Sequence, residues 1–93
     1  MNIYKVSQNK NTGYDTYDSF VIICETEEQA RYANPGGFYR WHDNAWYFQY
    51  SDGREKAEND NTWCDAKDVE VELVGKAEEG KEIGIICSSF NAG

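Results

Sequence analysis

The chain has 93 residues, 40% of them apolar and 15% aromatic, and its 17 acidic and 9 basic side chains give a formal charge of −8. That length gives a single domain, 1–93, with a small core, and the charge opposes phosphate-backbone binding, so a nucleic-acid partner is not expected. The longest apolar run is five residues, too short to cross a membrane, and three cysteines without a recognisable leader imply a reducing compartment.

Residues 2–8 alternate in polarity and predict a first strand, with Tyr4 and Val6 on one face and Ile3 and Lys5 on the other. Asn9 to Asp18 is rich in Asn, Asp, Gly and Thr and predicts a loop. Within the stretch from Gly13 to Ser19, Tyr-Asp-Thr is followed by Tyr-Asp-Ser. Tyr14, Asp15, Thr16, Tyr17, Asp18 and Ser19 thus gather phenols, carboxylates and hydroxyls, groups that need partners if buried. They are candidate ligand-binding residues. Asp15 and Asp18 have three uses open to them: capping a turn, contacting a ligand, or serving acid/base or metal chemistry. Residues 19–25 predict a second strand, apolar on both faces and therefore central, antiparallel to the first.

Thr26-Glu27-Glu28-Gln29 opens a helix of about two turns as a capping box, and Asn34-Pro35-Gly36-Gly37 closes it. In 45–50, Trp46, Phe48 and Tyr50 alternate with Ala45, Tyr47 and Gln49, which predicts a strand with one aromatic face. Trp41-His42-Asp43 reads as loop. Tyr39, Trp41 and Trp46 can form core or stack on a base, and Arg40 among them can meet a phosphate. Residues 51–62 predict a polar loop, and Trp63 is either an exposed contact or the anchor of that loop. Val69, Val71 and Leu73 alternate with Glu70 and Glu72 and predict a strand with the apolar set inward. Residues 83–90 predict a last, buried strand, with Cys24 and Cys87 as small buried strand residues. At its end, Ser89 and Asn91 join the candidate site residues, on one strand face and near Asp15 and Thr16.

His42 is the lone histidine and has no Cys or His nearby, so neither a zinc site nor a nucleophile–base pair is expected. No phosphate-cradling glycine loop occurs, and no cofactor, metal or catalytic constellation is anticipated. Residues 52–82 carry 11 acids against 5 bases, whereas 83–93 carry no charge. The acidic belt is a solubility device, a docking surface for a basic partner, or a nucleic-acid mimic. The pattern predicts an α+β fold: a mostly antiparallel sheet of about five strands with one short helix packed on it.

Several segments together resemble a group of short proteins encoded by phages and prophages. They are Ile-Tyr-x-Val-Ser-Gln at 3–8, Asn-x-Gly-Tyr-Asp-Thr-Tyr-Asp-Ser at 11–19, the apolar strand 20–24 and a Glu-Glu-x-Ala-Arg helix ending at Asn34-Pro35. Trp63 with Asp-Val-x-Val-x-x-x-Gly-x-Ala at 68–77, and Ser-Phe-Asn-Ala-Gly at 89–93, complete the set. Asn34 stands where the group has His. The resemblance implies a phage origin and expression in the host-cell cytoplasm, and it carries over no catalytic residue. The expectation is a non-enzymatic counter-defence protein that sequesters a nucleotide-derived immune signal, as a homo-oligomer enclosing its pocket between copies. The alternative is an acidic inhibitor that occludes a basic host defence protein. A third is a small enzyme using Asp15 or Asp18.

Overall fold

The structure, a computed structural model, describes residues 1–58 and 61–91. In chain order the elements are β1 (Asn2–Ser7), β2 (Thr16–Cys24), α1 (Glu27–Arg31), β3 (Tyr39–His42), β4 (Ala45–Gln49) and β5 (Glu55–Ala57). A 3₁₀ turn (Ala66–Asp68), β6 (Glu70–Lys76) and β7 (Gly84–Asn91) follow. They build two antiparallel sheets, one ordered β6-β1-β2-β7 and the other β3-β4-β5. The class is α+β, as expected, but with seven strands in place of five.

The β1–β2 register sets Tyr4 against Ile22 and Val6 against Phe20. These four side chains and Cys24 are buried on one face. Ile3, Lys5 and Ser7 lie against Ile23, Val21 and Ser19 on the other. A one-residue slip would exchange the faces, so burial of the first set fixes the pairing. Helix α1 covers the buried face, packing on β6, β1 and β2 with Ala30 fully enclosed. Thr26 Oγ1 accepts from the Gln29 amide at 3.2 Å. The Gln29 side chain reaches back to the amide of Glu25, one residue before the cap, at 2.8 Å. The helix is shorter than expected, at five residues, so packing must hold it. Arg31 adds a tie by donating to the carbonyls of Ala66 and Val69.

The three-stranded sheet was only partly expected. Trp41 and His42 are in β3, not in a loop, and Asp43 and Asn44 turn the chain with φ of 50° and 61°. Two successive left-handed residues make the tight hairpin that matches strand twist, and Asp and Asn tolerate that conformation. Within the expected loop 51–62, residues Glu55–Ala57 add the edge strand β5. The two sheets share one core. Trp63 is 1% exposed and stacks obliquely on Phe20 at 5.3 Å, while the Trp46 indole N–H donates to the Cys64 carbonyl at 2.8 Å. Trp63 is therefore the anchor of its loop.

The C-terminal strand overturns an expectation. Gly84 to Phe90 are all exposed, Cys87 included, because β7 is the outermost strand beside β2. Leu73, expected inward, is 59% exposed on the opposite edge strand, β6. An apolar run reads alike in a buried strand and in an uncovered edge strand, and here nothing among the described residues covers it.

Candidate functional site

The turn at 13–19 and the C-terminal strand meet. The β2–β7 register sets Thr16 against Asn91, Tyr17 against Phe90 and Ser19 against Ser89, with Asp18 as an extra residue. That bulge lets the Asn91 side-chain amide donate to Asp18 Oδ1 at 2.8 Å. The Asp15 amide donates to the Asn91 carbonyl, and the Tyr17 and Phe90 rings meet edge-on at 4.7 Å.

Much of the turn's polarity is spent internally. Thr16 is buried and its hydroxyl donates to the Gly13 carbonyl at 2.6 Å, closing a turn in which Asp15 takes a φ of 59°. Gln8 sits beneath the loop, 8% exposed. Its amide donates to the carbonyls of Asn11 and Tyr17, and its oxygen accepts from the amides of Lys10 and Asn11. Asn11 in turn donates to the carbonyls of Asn61 and Trp63, at 2.7 and 3.0 Å. The loop is thus tied down on both flanks, and Tyr14 at its tip is left 81% exposed. Gln8 and Asn11 were not singled out from sequence. A polar residue ending an alternating strand just before an Asn- and Gly-rich loop was the available signal.

A groove of about 460 Å³ lies at this junction, lined by Thr12, Gly13, Tyr14, Phe90 and Asn91. Phe90 is 44% exposed, so the groove offers two accessible rings beside main-chain and amide groups. Such a surface can stack on a flat ring and hydrogen-bond its edge. A second, larger cavity of about 610 Å³ has Asn11 of the loop in its lining. Trp46 and Trp63 line it with Asn11, Asn44, Glu58 and Asp65. The Glu58 and Asp65 carboxylates disfavour an anion. The Trp63 indole N–H is buried and has no acceptor among the described residues.

The candidate residues therefore divide. Tyr14 and Asn91 line the groove; Asp15, Thr16, Tyr17, Asp18, Ser19 and Ser89 build or flank its frame; Trp46 and Trp63 belong to the second cavity. Arg40 and Trp41 line neither. Arg40 is exposed on β3 opposite Tyr47, and Trp41 packs edge-on against Trp46 at 5.1 Å. His42 also stands apart, stacked on Tyr47 at 3.8 Å with its Nε2 2.9 Å from a Glu55 oxygen. The Gln49 amide, donating to Glu55 at 2.9 Å, leads in holding the Glu55 carboxyl below its usual range, with His42 and Arg40 adding to it. Compared with protein-family models, with curated proteins and with solved structures, the chain finds no match.

Proposed function

We propose that the chain is a non-enzymatic binder that captures a nucleotide-derived immune signal, a phage counter-defence protein acting by sequestration. The observation that carries this reading is the junction of the Tyr14 turn with the Phe90–Asn91 strand end in one groove. Stacking on an aromatic side chain contributes ~1–3 kcal/mol per base, and the groove offers two rings. No cation is among the described residues lining it, and Arg40 stands elsewhere. The groove therefore grips the base, and the phosphates stay in water. Asp15 beside it disfavours heavily charged ligands, so cyclic dinucleotides and ADP-ribose derivatives are better candidates than triphosphates.

The test is titration calorimetry against cyclic di- and trinucleotides, ADP-ribose derivatives and the matching free nucleosides. Binding in the micromolar range or tighter is expected, weakened ~10-fold or more by Tyr14→Ala and by Phe90→Ala. No heat with any compound at micromolar sensitivity, or binding indifferent to both substitutions, overturns the reading.

A second reading rests on β6, where Glu70 and Glu72 are exposed on a sheet edge. It is an acidic surface for occluding a basic host protein. Complex formation would then weaken steeply with salt and disappear in Glu70→Gln/Glu72→Gln, while Tyr14→Ala would leave it intact.

A further inference from the structure

The two sheets have four edges, and three carry charge. β6 presents Glu70, Glu72 and Lys76, β3 presents Arg40, and β5 presents Glu55 and Lys56. Charged side chains on an edge discourage further strand pairing. The fourth edge, β7, has none. It runs eight residues, Gly84–Asn91, pairs among the described residues on one side only, and exposes Ile85, Ile86 and Phe90. Its outer edge thus holds about four unpaired amides and four unpaired carbonyls in an apolar setting. The register shift beside Val21 makes Ile86 an extra residue against β2. A bulge there adds twist but puts neither charge nor proline on the edge.

From these features we infer that β7 pairs antiparallel with β7 of a second copy, joining two four-stranded sheets into one of eight strands. The occupant is a second copy because this strand complements itself. A two-fold axis at Ser88 sets Ile86 of each copy against Phe90 of the other, Cys87 against Ser89 and Ile85 against Asn91. Two apolar cross-strand pairs result, and no charge is buried. An axis at Cys87 instead would set both isoleucines against serines. On a chain of charge −8, the uncharged β7 is also where two copies can approach with the least repulsion. Main-chain hydrogen bonds supply the adhesion, as in strand addition generally.

The pairing also completes the groove. It brings Ile85 and Ile86 of the second copy alongside Asn91 and Phe90, giving each groove an apolar wall from the other copy. The dimer stands on β7 alone, whatever ligand the groove takes.

Sedimentation equilibrium of the full chain tests this without a ligand. The wild type is expected to be dimeric at tens of micromolar. Ser88 is exposed, and a charge there would face its own copy across the axis. Ser88→Lys and Ser88→Glu should each weaken the dimer by ~100-fold, while Ser88→Thr should keep it. An equimolar mixture of the Lys and Glu variants should restore a heterodimer, which also shows that each variant is folded. Three results would overturn the inference: a wild type monomeric at ~100 µM, a Ser88→Lys variant that stays dimeric, or no association in the mixture.

Discussion

Gln8→Ala should destabilise the protein more than any other single change in the N-terminal loop. The side chain makes four hydrogen bonds between 2.6 and 2.8 Å, two given and two received. At roughly 1 kcal/mol net for each bond, the upper limit is about 4 kcal/mol. Lys10 is exposed and Asn11 half-buried, so water reaches part of what is freed, and a loss of about 2–3 kcal/mol is expected. Against a total stability of about 5–15 kcal/mol that is a large fraction. Urea unfolding followed by fluorescence of the buried Trp46 and Trp63 should shift its midpoint down by roughly 2 M, for a slope near 1 kcal/mol/M. Gln8→Glu supplies the internal control. Its carboxylate would face the Asn11 and Tyr17 carbonyls without a proton to give, so its pKa would rise in the folded state. That variant should gain stability as pH falls, and lose it as pH rises through the folded pKa. A midpoint shift below ~0.5 M in Gln8→Ala would mean that water satisfies the loop as well as Gln8 does, and the claim that Gln8 ties the loop down would fail.

Trp46→Phe should cost about 1–2 kcal/mol more than Trp63→Phe in the same assay, because only Trp46 has an indole hydrogen bond to lose, to the Cys64 carbonyl. Iodoacetamide, followed by mass spectrometry, should label the exposed Cys87 first and Cys24 last. Burial pushes the Cys24 thiol up, away from the reactive thiolate. The lowered pKa of Glu55 means that its contribution to stability is present above the unfolded carboxylate pKa and fades as pH falls through the folded one. Glu55→Gln should remove that part of the acid limb, and Gln49→Ala should move it more than His42→Ala does. Asn91→Ala should cost about 1 kcal/mol through the lost contact to Asp18, and should speed amide exchange at Asp15, whose acceptor is the Asn91 carbonyl.

Local rules were legible where one residue decides the outcome. Thr26 caps the helix as its spacing from Gln29 predicts, although the Gln29 side chain returns to the Glu25 amide rather than to that of Thr26, and Tyr4 and Val6 face the core as strand alternation requires. The meeting of the 13–19 turn with Ser89 and Asn91 was also expected from their polarity, and the register bears it out. The Asp43-Asn44 hairpin was missed because Asp-Asn is a weaker turn signal than Asn-Gly, and because the aromatic residues around it fit core and stacking alike. The burial of β7 was misread for a different reason. Ile83, Ile85 and Ile86 state an affinity for apolar surroundings, but sequence does not say whether this chain or another copy supplies them. Arg40 was grouped with the tryptophans by sequence proximity, whereas strand geometry sends neighbours to opposite faces: Trp41 packs on Trp46, and Arg40 stays exposed.

One strand carries both the groove and the open edge, and the β2–β7 ladder explains how. Its regular stretch, Ser19 to Val21 against Ser89 to Cys87, is interrupted at each end by one extra residue, Asp18 on β2 and Ile86 on β7. Bulges bend the strand that holds them and re-aim its side chains. At Asp18 the result is internal. The carboxylate reaches Asn91, Tyr17 meets Phe90, and the turn is pulled over the strand end to form the groove. At Ile86 the result is external, for the side chain remains 55% exposed. A chain that needed only a stable monomer would gain from a lysine at that position, as the charged residues of β6 illustrate. Isoleucine there leaves apolar surface in water at a cost of about 25 cal/mol per Å², a cost that the proposed pairing with a second copy would remove.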